Sequence, residues 1–438
     1  MGILGIIIGF ACLIILCYKN VNVYVVAVIS SVIVILFNRL PFTDTLVNTL
    51  LLGAGTYLGQ YIGLHLFGSI LGKIYTYSGA AVSISKAILK ALLRDGYSER
   101  ASRRLAILGA ILSGWILTYG GINAAIIVFT LYPIILSIFA ETGIPKKYIV
   151  GTILGGSCTF ALTGPGSPQP PNVVAMTVLN TPSTSGAIPG IIGGIVELII
   201  IVFALEWLIT RGIEKGETFA YGPKDVVFDD SKEKPFFVIA LIPLVLIFVV
   251  FNIIKINLVV SLIIGCLSAL ILFWKYLGGI KATLSAINEG AMVAPGAMFS
   301  LASVVGFGMV VKQTEAFQQI VDTLLHLPLP PVILLIIAVG VLSLLTGGAA
   351  AGQQLALPVI APSIISMGLP AQFIHRISCF TGSTLDTNPS SGTVIMYLNA
   401  TDTTLKESYP AVFITTVLAT SCGTAVVAII LSLFPMLA

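Results

Sequence analysis

The sequence predicts an all-α polytopic membrane protein built from two inverted-topology repeats, with about ten transmembrane helices and two re-entrant hairpins. Three observations predict it. Hydrophobic residues make up 57% of the chain and charged ones only 9%, at a mean hydropathy of +1.05, which is more apolar surface than a water-soluble domain of 438 residues buries. Apolar runs of spanning length recur along the chain between short charged or Pro/Gly-marked breaks. The same order of glycine and proline punctuation then occurs twice.

Taken in order, the runs 2–17, 22–38 and 46–72 read as membrane helices. The first lacks the basic n-region and small-residue cleavage site of a signal peptide, so it is expected to be retained. Residues 81–94 alternate apolar side chains with Lys and Arg at helical spacing, the pattern of an amphipathic helix lying at the interface. Between 105 and 140, two apolar arms flank Tyr119-Gly120-Gly121. Each arm is about 15–18 residues, short of the roughly 20 that a full span needs, which predicts a hairpin. The run 148–180 is broken by GPGSPQPPN at 164–172, and 186–210 is continuous. Residues 211–234, mixed in charge and near the midpoint, are expected to link two halves. The second half has runs at 235–252, 257–274 and 290–312, a second hairpin at 331–367 around Thr346-Gly347-Gly348, a run 371–399 broken by DTNPSSGT at 386–393, and a last run at 409–436.

The halves register on each other. Pro133 lies twelve residues before Pro145 and Pro358 twelve before Pro370, with Gly143 and Gly368 in equivalent places. Gly156-Ser157 and Gly382-Ser383 then precede the two polar interruptions. Basic residues orient the chain, because they collect on the cytoplasmic side. With the amino terminus outside, 18 of the 22 Lys and Arg lie in cytoplasmic segments, including 73–104 and 211–234. The first hairpin then dips in from the cytoplasm and the second from outside, which makes the repeats inverted. The expected location is a cell inner (plasma) membrane.

Backbone groups freed by a broken helix cannot face lipid, so each break marks a cavity where protein, water, an ion or a solute satisfies them. Half-helix N-termini suit a carboxylate, and C-terminal carbonyls suit a cation. Inverted repeats with discontinuous helices are a signature of secondary transporters. The candidate binding residues are the polar and glycine positions of the tips and breaks. They comprise Tyr119, Gly120, Gly121, Asn123, Ser167, Gln169 and Asn172 in the first half, and Thr346, Gly347, Gly348, Gln353, Gln354, Ser383, Thr384, Thr387, Asn388 and Ser390 in the second. Thr118 and Thr163 belong to the same polar set.

The PGSPQ stretch from Pro165 to Gln169 with Asn172, the pair His375-Arg376, and GSTLDTNPSSG from Gly382 to Gly392 carry a resemblance to the gluconate:proton symporter family. That family sits within a wider ion-transporter superfamily that includes divalent-anion:sodium symporters. The likeness runs through nearly the whole length, and both hairpin positions match. It implies a homodimer whose transport domain slides as an elevator against a scaffold, with a site between hairpin tips and broken helices. Residues 1–80 and 235–330 would be scaffold, 81–103 an amphipathic connection, 104–210 and 331–438 the transport domain, and 211–234 the linker. The implied cargo is a hydroxy acid such as gluconate, glycerate or β-hydroxybutyrate, carried with H⁺. Where the family commonly continues Leu-Pro-His-Asn-Gly after Leu385-Asp386-Thr387, this chain has Asn388-Pro389-Ser390-Ser391-Gly392, without the histidine. Na⁺ coupling through tip carbonyls and Ser, Thr and Asn oxygens is the alternative, and a cation/proton antiporter a more distant one.

Among charged residues, Asp386 and Glu197 are the candidates for ion coupling. Asp386 is the one carboxylate in a predicted break; it reads as a proton, sodium or hydroxyl binder, or as a helix cap. Glu197 falls mid-span, where an unpaired carboxylate is ordinarily protonated; it reads equally as a proton carrier or as packing. Glu206, nearer the cytoplasmic end, reads as a snorkelling residue. His65 reads as a buried, hydrogen-bonded histidine rather than a relay. Arg376 reads as an anion attractor at the outer entrance, or as the partner of a headgroup or carboxylate, and His326 carries no role.

Six cysteines sit inside apolar segments without metal or disulfide spacing. The net charge of +4 lies on no soluble face, so no nucleic-acid partner is expected. No cofactor is expected, and no HExxH, GxSxG, P-loop or paired acidic metal motif points to an enzyme.

Overall fold

A computed structural model describes every residue except 20, 94, 95, 125, 126, 224, 226–232, 390 and 438, and its regular structure is entirely helical among the described residues. The first half opens with α1 (Gly2–Tyr18) and α2 (Val23–Asn38), then the single turn α3 (Phe42–Asp44), a π-helical segment Thr45–Leu51 and the long α4 (Leu52–Tyr77). The amphipathic stretch is α5 (Ala80–Leu92), and α6 (Glu99–Tyr119) with α7 (Ile127–Thr142) makes the first hairpin. The broken helix falls into α8 (Ile149–Ser157), α9 (Phe160–Thr163) and α10 (Pro170–Leu179), and α11 (Ala187–Glu214) closes the half. Helix α6 begins before the apolar pattern does, because the Ser98 hydroxyl accepts from the Ala101 N–H at 3.3 Å and caps a first turn that carries Glu99.

The second half repeats that order. It runs α12 (Phe237–Phe248), α13 (Leu258–Phe273), α14 (Ile280–Lys312) and α15 (Glu315–Leu325). The second hairpin is α16 (Pro331–Thr346) and α17 (Ala349–Ser366). A broken helix of α18 (Ala371–Thr384) and α19 (Gly392–Thr401) follows, then α20 (Leu405–Val412), a π-helical segment Phe413–Leu418 and α21 (Ala419–Leu433). The amphipathic α15 occupies the place of α5, so the repeat is fuller than the hydropathy alone conveys. Backbone conformation repeats too. Gly143 and Gly368 both have positive φ, at 67° and 99°, and Asn180 and Asp402 end α10 and α19 in the left-handed region at 50° and 51°.

Among the described residues, five helices are long and apolar enough to cross a membrane: α11, Leu258–Tyr276, α14, α17 and Leu405–Leu433. On α11, Ile188, Ile191, Ile195 and Ile199 form an exposed stripe, while Gly190, Gly193, Gly194 and Glu197 face inward. An apolar stripe turned outward is the arrangement that lipid requires. Helix α4 lies along α14 so closely that a Cβ at Gly290 would sit 2.6 Å from the Ile70 Cα. The interrupted segments of the two halves interleave: α10 packs on α17 and α18, α11 on α21, and α8 on α20.

The midpoint connection is a strap across the base of the first hairpin. Lys147 meets Glu217 at 2.6 Å, and the Tyr148 hydroxyl donates to the same carboxylate at 2.8 Å. The Lys146 ammonium lies 2.7 Å from Asp225, which also accepts from the Tyr132 hydroxyl and from the Gly222 N–H at 2.6 Å. Burial pushes the Asp225 carboxyl up, but its hydrogen bonds from Lys146, Tyr132 and Gly222 outweigh this and hold it below the usual aspartate range. The folded pKa lies below the unfolded one, so the strap's electrostatic stability is full at neutral pH and is lost only as pH falls below about 4. Asp225→Asn is expected to open residues 215–223 to protease at pH 7, where the native chain resists. Equal cleavage of the two proteins at that pH would count against the strap.

Candidate functional site

A cavity of about 400 Å³ lies where the second hairpin tip and both broken helices meet α1, α4 and α14. It gathers seven of the predicted residues: Asn123, Gln169, Thr346, Gly347, Gly348, Asp386 and Thr387. His65 and Ser300 join them from α4 and α14. Its volume falls within the roughly 300–1,000 Å³ of small-molecule sites.

The electrostatics come from backbone. No lysine or arginine lines the cavity among the described residues. Three helices instead begin at its wall: α10 at Pro170, α17 at Ala349 and α19 at Gly392. None of the three has a side-chain cap. An uncapped helix start leaves up to four N–H groups unsatisfied and carries about half a positive charge. In α10 the first two positions are Pro170 and Pro171, which have no N–H to offer. The donors of α17 and α19, both from the second half, therefore dominate.

Asp386 stands among these helix ends. Its side chain is 92% buried, its Oδ1 has no hydrogen-bond partner, and the N–H groups of Ala349 and Thr387 face its carboxyl. The Asn388 amide donates to the Leu344 carbonyl at 3.0 Å, and the Ser391 hydroxyl to the Gly347 carbonyl at 3.2 Å, which pins the hairpin tip beside the break. Gly347 takes φ 62° at that tip, a conformation that glycine adopts freely.

The other predicted residues have structural employment. In the first break the Gln169 amide, although at the cavity wall, donates to the carbonyls of Thr118 at 2.6 Å and Ile122 at 3.1 Å. Ser167 donates to the Ala161 carbonyl at 2.6 Å. The Asn172 amide donates to the carbonyls of Ser167 and Ser183, while its Oδ1 accepts from His375 at 2.8 Å and Arg376 at 3.3 Å. Tyr119 donates to the Pro165 carbonyl, and Gly120 and Gly121 press against Leu244 and Leu262, away from the cavity. In the second half Gln353 bonds to Ser378 and Gln354 accepts from Tyr61. Ser383 is buried outside the cavity with its hydroxyl unpartnered, and the half-buried Thr384, also outside the cavity, bonds to Phe380 and Thr424. Ser390 lies outside the described residues.

Two charged residues differ from the sequence reading. Arg376 is not at an entrance: it is completely buried and donates to the carbonyls of Ser185, Thr163 and Ser183 and to Asn172. Glu206 does not snorkel: it is buried and bridges Arg100 at 2.6 Å and Arg104 at 3.2 Å. Glu197 lies between α11 and α21 against Gly423, with neither oxygen partnered and no contact with the cavity. Glutamine has its shape without its charge, so Glu197→Gln is expected to leave uptake within about twofold of the native rate. A tenfold loss in well-folded protein would restore Glu197 as an ion carrier. The six cysteines are free, and Cys17 and Cys158 reach the cavity wall.

A second space of about 580 Å³ between α6, α11 and α12 is lined by Trp115, Tyr119, Phe160 and Phe248. It is larger, but its aromatic and aliphatic walls suit a hydrocarbon chain rather than an ion or polar solute.

No family model matches the chain. It is 25% identical to an uncharacterized transporter of Bacillus subtilis (strain 168), YxjC, over 480 aligned positions covering 98% of each chain. An uncharacterized transporter of Haemophilus influenzae is 26% identical over 327 positions, 73% of each chain. The crystal structure of the Alcanivorax borkumensis YdaH transporter superposes with a TM-score of 0.56 at 14% identity, covering 90% of this chain and 88% of that one. The chain thus has the fold of a polytopic all-α membrane transporter and resembles transporters along its whole length.

Proposed function

We propose that this chain is a secondary active transporter that carries a small organic carboxylate, of the hydroxy-acid kind, together with a proton. The observation that carries the reading is the composition of the cavity. Helix starts of α17 and α19 without side-chain caps supply backbone donors for an anion, and the same wall holds Asp386, whose Oδ1 is without a partner. Two negative charges in one water-poor pocket repel each other strongly. A solute carboxylate therefore enters the field of α17 only when Asp386 is neutral. Protonated, Asp386 is also a donor, and its free Oδ1 is available to the solute. Binding of anion and proton then becomes mutually required, which is the condition for symport.

A sliding mechanism is supported by the grouping of the lining residues. One set is on α1, α2, α4 and α14, and the other on the two hairpin tips and both broken helices, whose pieces pack on one another. We assign the first set, with α12 and α13, to a scaffold, and the second, with α6–α8, α11, α20 and α21, to the moving unit. Under the orientation given by the basic residues, Cys17 and Val23 lie toward the cytoplasmic end of the cavity.

The test is uptake into proteoliposomes of labelled glycerate, 3-hydroxybutyrate and gluconate, with proton and sodium gradients imposed separately. Accumulation driven by an inward proton gradient supports the reading. Accumulation that needs sodium and ignores pH transfers the coupling to Na⁺, and no accumulation of any acid removes the carboxylate assignment.

A further inference from the structure

His65 is on the glycine-rich α4, is 4% exposed, and lines the cavity. Its two nitrogens have different surroundings. The Asn123 side-chain nitrogen lies 3.0 Å from Nδ1, whereas Nε2 is buried without any hydrogen-bond partner. An amide NH₂ only donates, so Nδ1 is the acceptor of that bond and the ring proton of the neutral imidazole is on Nε2. A buried N–H left unpaired costs about 1–3 kcal/mol, so a group in this position is ordinarily satisfied by something that enters. The backbone of α4 one turn on is packed closely against the first hairpin tip. The Asn123 N–H bonds to the Gly68 carbonyl at 3.4 Å, and a Cβ at Gly68 would sit 3.0 Å from the Gly121 carbonyl oxygen.

We infer that His65 is a solute-binding residue, whose Nε2–H donates a hydrogen bond to an oxygen of the carried molecule across the cavity from Asp386. This rests on the carrier reading above and extends it. The solute meets a carboxyl group and helix starts on one wall and a neutral ring donor on the other, a complement for a carboxylate bearing a second oxygen function. The His65–Asn123 pair also crosses the boundary between the proposed scaffold and moving unit, so the donor is correctly protonated only while α4 and the first hairpin are in register.

The experiment compares His65→Gln, His65→Asn and His65→Leu in proteoliposomes, using whichever of the three labelled acids the native protein accumulates. The Gln amide reaches where Nε2 stands, and the Asn amide stops near Nδ1. His65→Gln is expected to keep KM within about threefold, while His65→Leu and His65→Asn raise it at least about tenfold with kcat little changed. An unchanged KM in His65→Leu, or equal values for the Gln and Asn variants, overturns the inference. Since the chain has only three histidines, ¹⁵N-histidine spectra of the native protein, assigned with His65→Gln, report the tautomer without any solute. A proton on Nε2 is expected; a proton on Nδ1 overturns the inference on its own. Native protein that accumulates none of the acids would instead remove the carboxylate reading, a result distinct from a transporting protein indifferent to His65.

Discussion

Asp386→Asn is expected to abolish proton-driven accumulation while leaving solute exchange intact. Asparagine keeps the size of the side chain and a donor toward the solute, but it takes up and gives off no proton. With one proton per monovalent anion, an imposed gradient of one pH unit amounts to about 1.4 kcal/mol, enough for about tenfold accumulation in the native protein. The variant should level off at equal concentrations inside and out, so its steady-state level under the gradient should be about tenfold below the native one. Counterflow of labelled against unlabelled acid should persist, because the cavity and its helix starts are unchanged. The pH dependence of affinity separates the two proteins further. Native binding should weaken as pH rises and Asp386 becomes charged beside the solute, whereas Asp386→Asn should bind equally across the range. A variant that still accumulates solute against its gradient would remove Asp386 from coupling.

Much of the architecture was legible in the residues, because a membrane helix writes itself as length and apolarity, and a break writes itself as glycine and proline. The equivalence of Gly143 with Gly368, and of the two polar interruptions, was readable in that way. The function of individual polar side chains was not. Asn172 meets His375, 203 positions away, and Gln169 reaches back to the base of the first hairpin tip; such partners are chosen by tertiary approach, and a sequence does not record it. The broken helices need many of their own polar residues to satisfy freed carbonyls, so clustering at a break marks the cavity without saying which members face it. His65 was obscured for the opposite reason. Its helix is long and apolar, and nothing near it in sequence announces that α4 supplies a wall. Helix α15 went unnoticed because an amphipathic segment of eleven residues is too short to stand out as a membrane run.

Arg376→Ala is expected to fail as a folded protein rather than as a transporter. The guanidinium is fully buried and forms no salt bridge among the described residues; its charge is spread over three carbonyl oxygens and the Asn172 side chain. Those acceptors belong to the last residue of α9, to α10 and to the segment leading into α11. One side chain on α18 therefore fastens the first broken helix to the second. Gly186 and Gly190 exist as glycines partly to admit it, since a Cβ at either would lie within about 3 Å of the arginine stem (2.7 and 3.0 Å). Hydrogen bonds to a charged group contribute about 1.5–3 kcal/mol each, and removal leaves the acceptors facing a void. The combined loss should exceed about 4 kcal/mol, a large share of the 5–15 kcal/mol typical of a folded domain. The expected result is loss of the monodisperse peak in detergent, with Arg376→Lys intermediate because an ammonium lacks the planar fork that reaches four acceptors at once. Well-folded Arg376→Ala with only a raised KM would reverse this assignment and return the arginine to the anion-attracting role that its place in the sequence suggests.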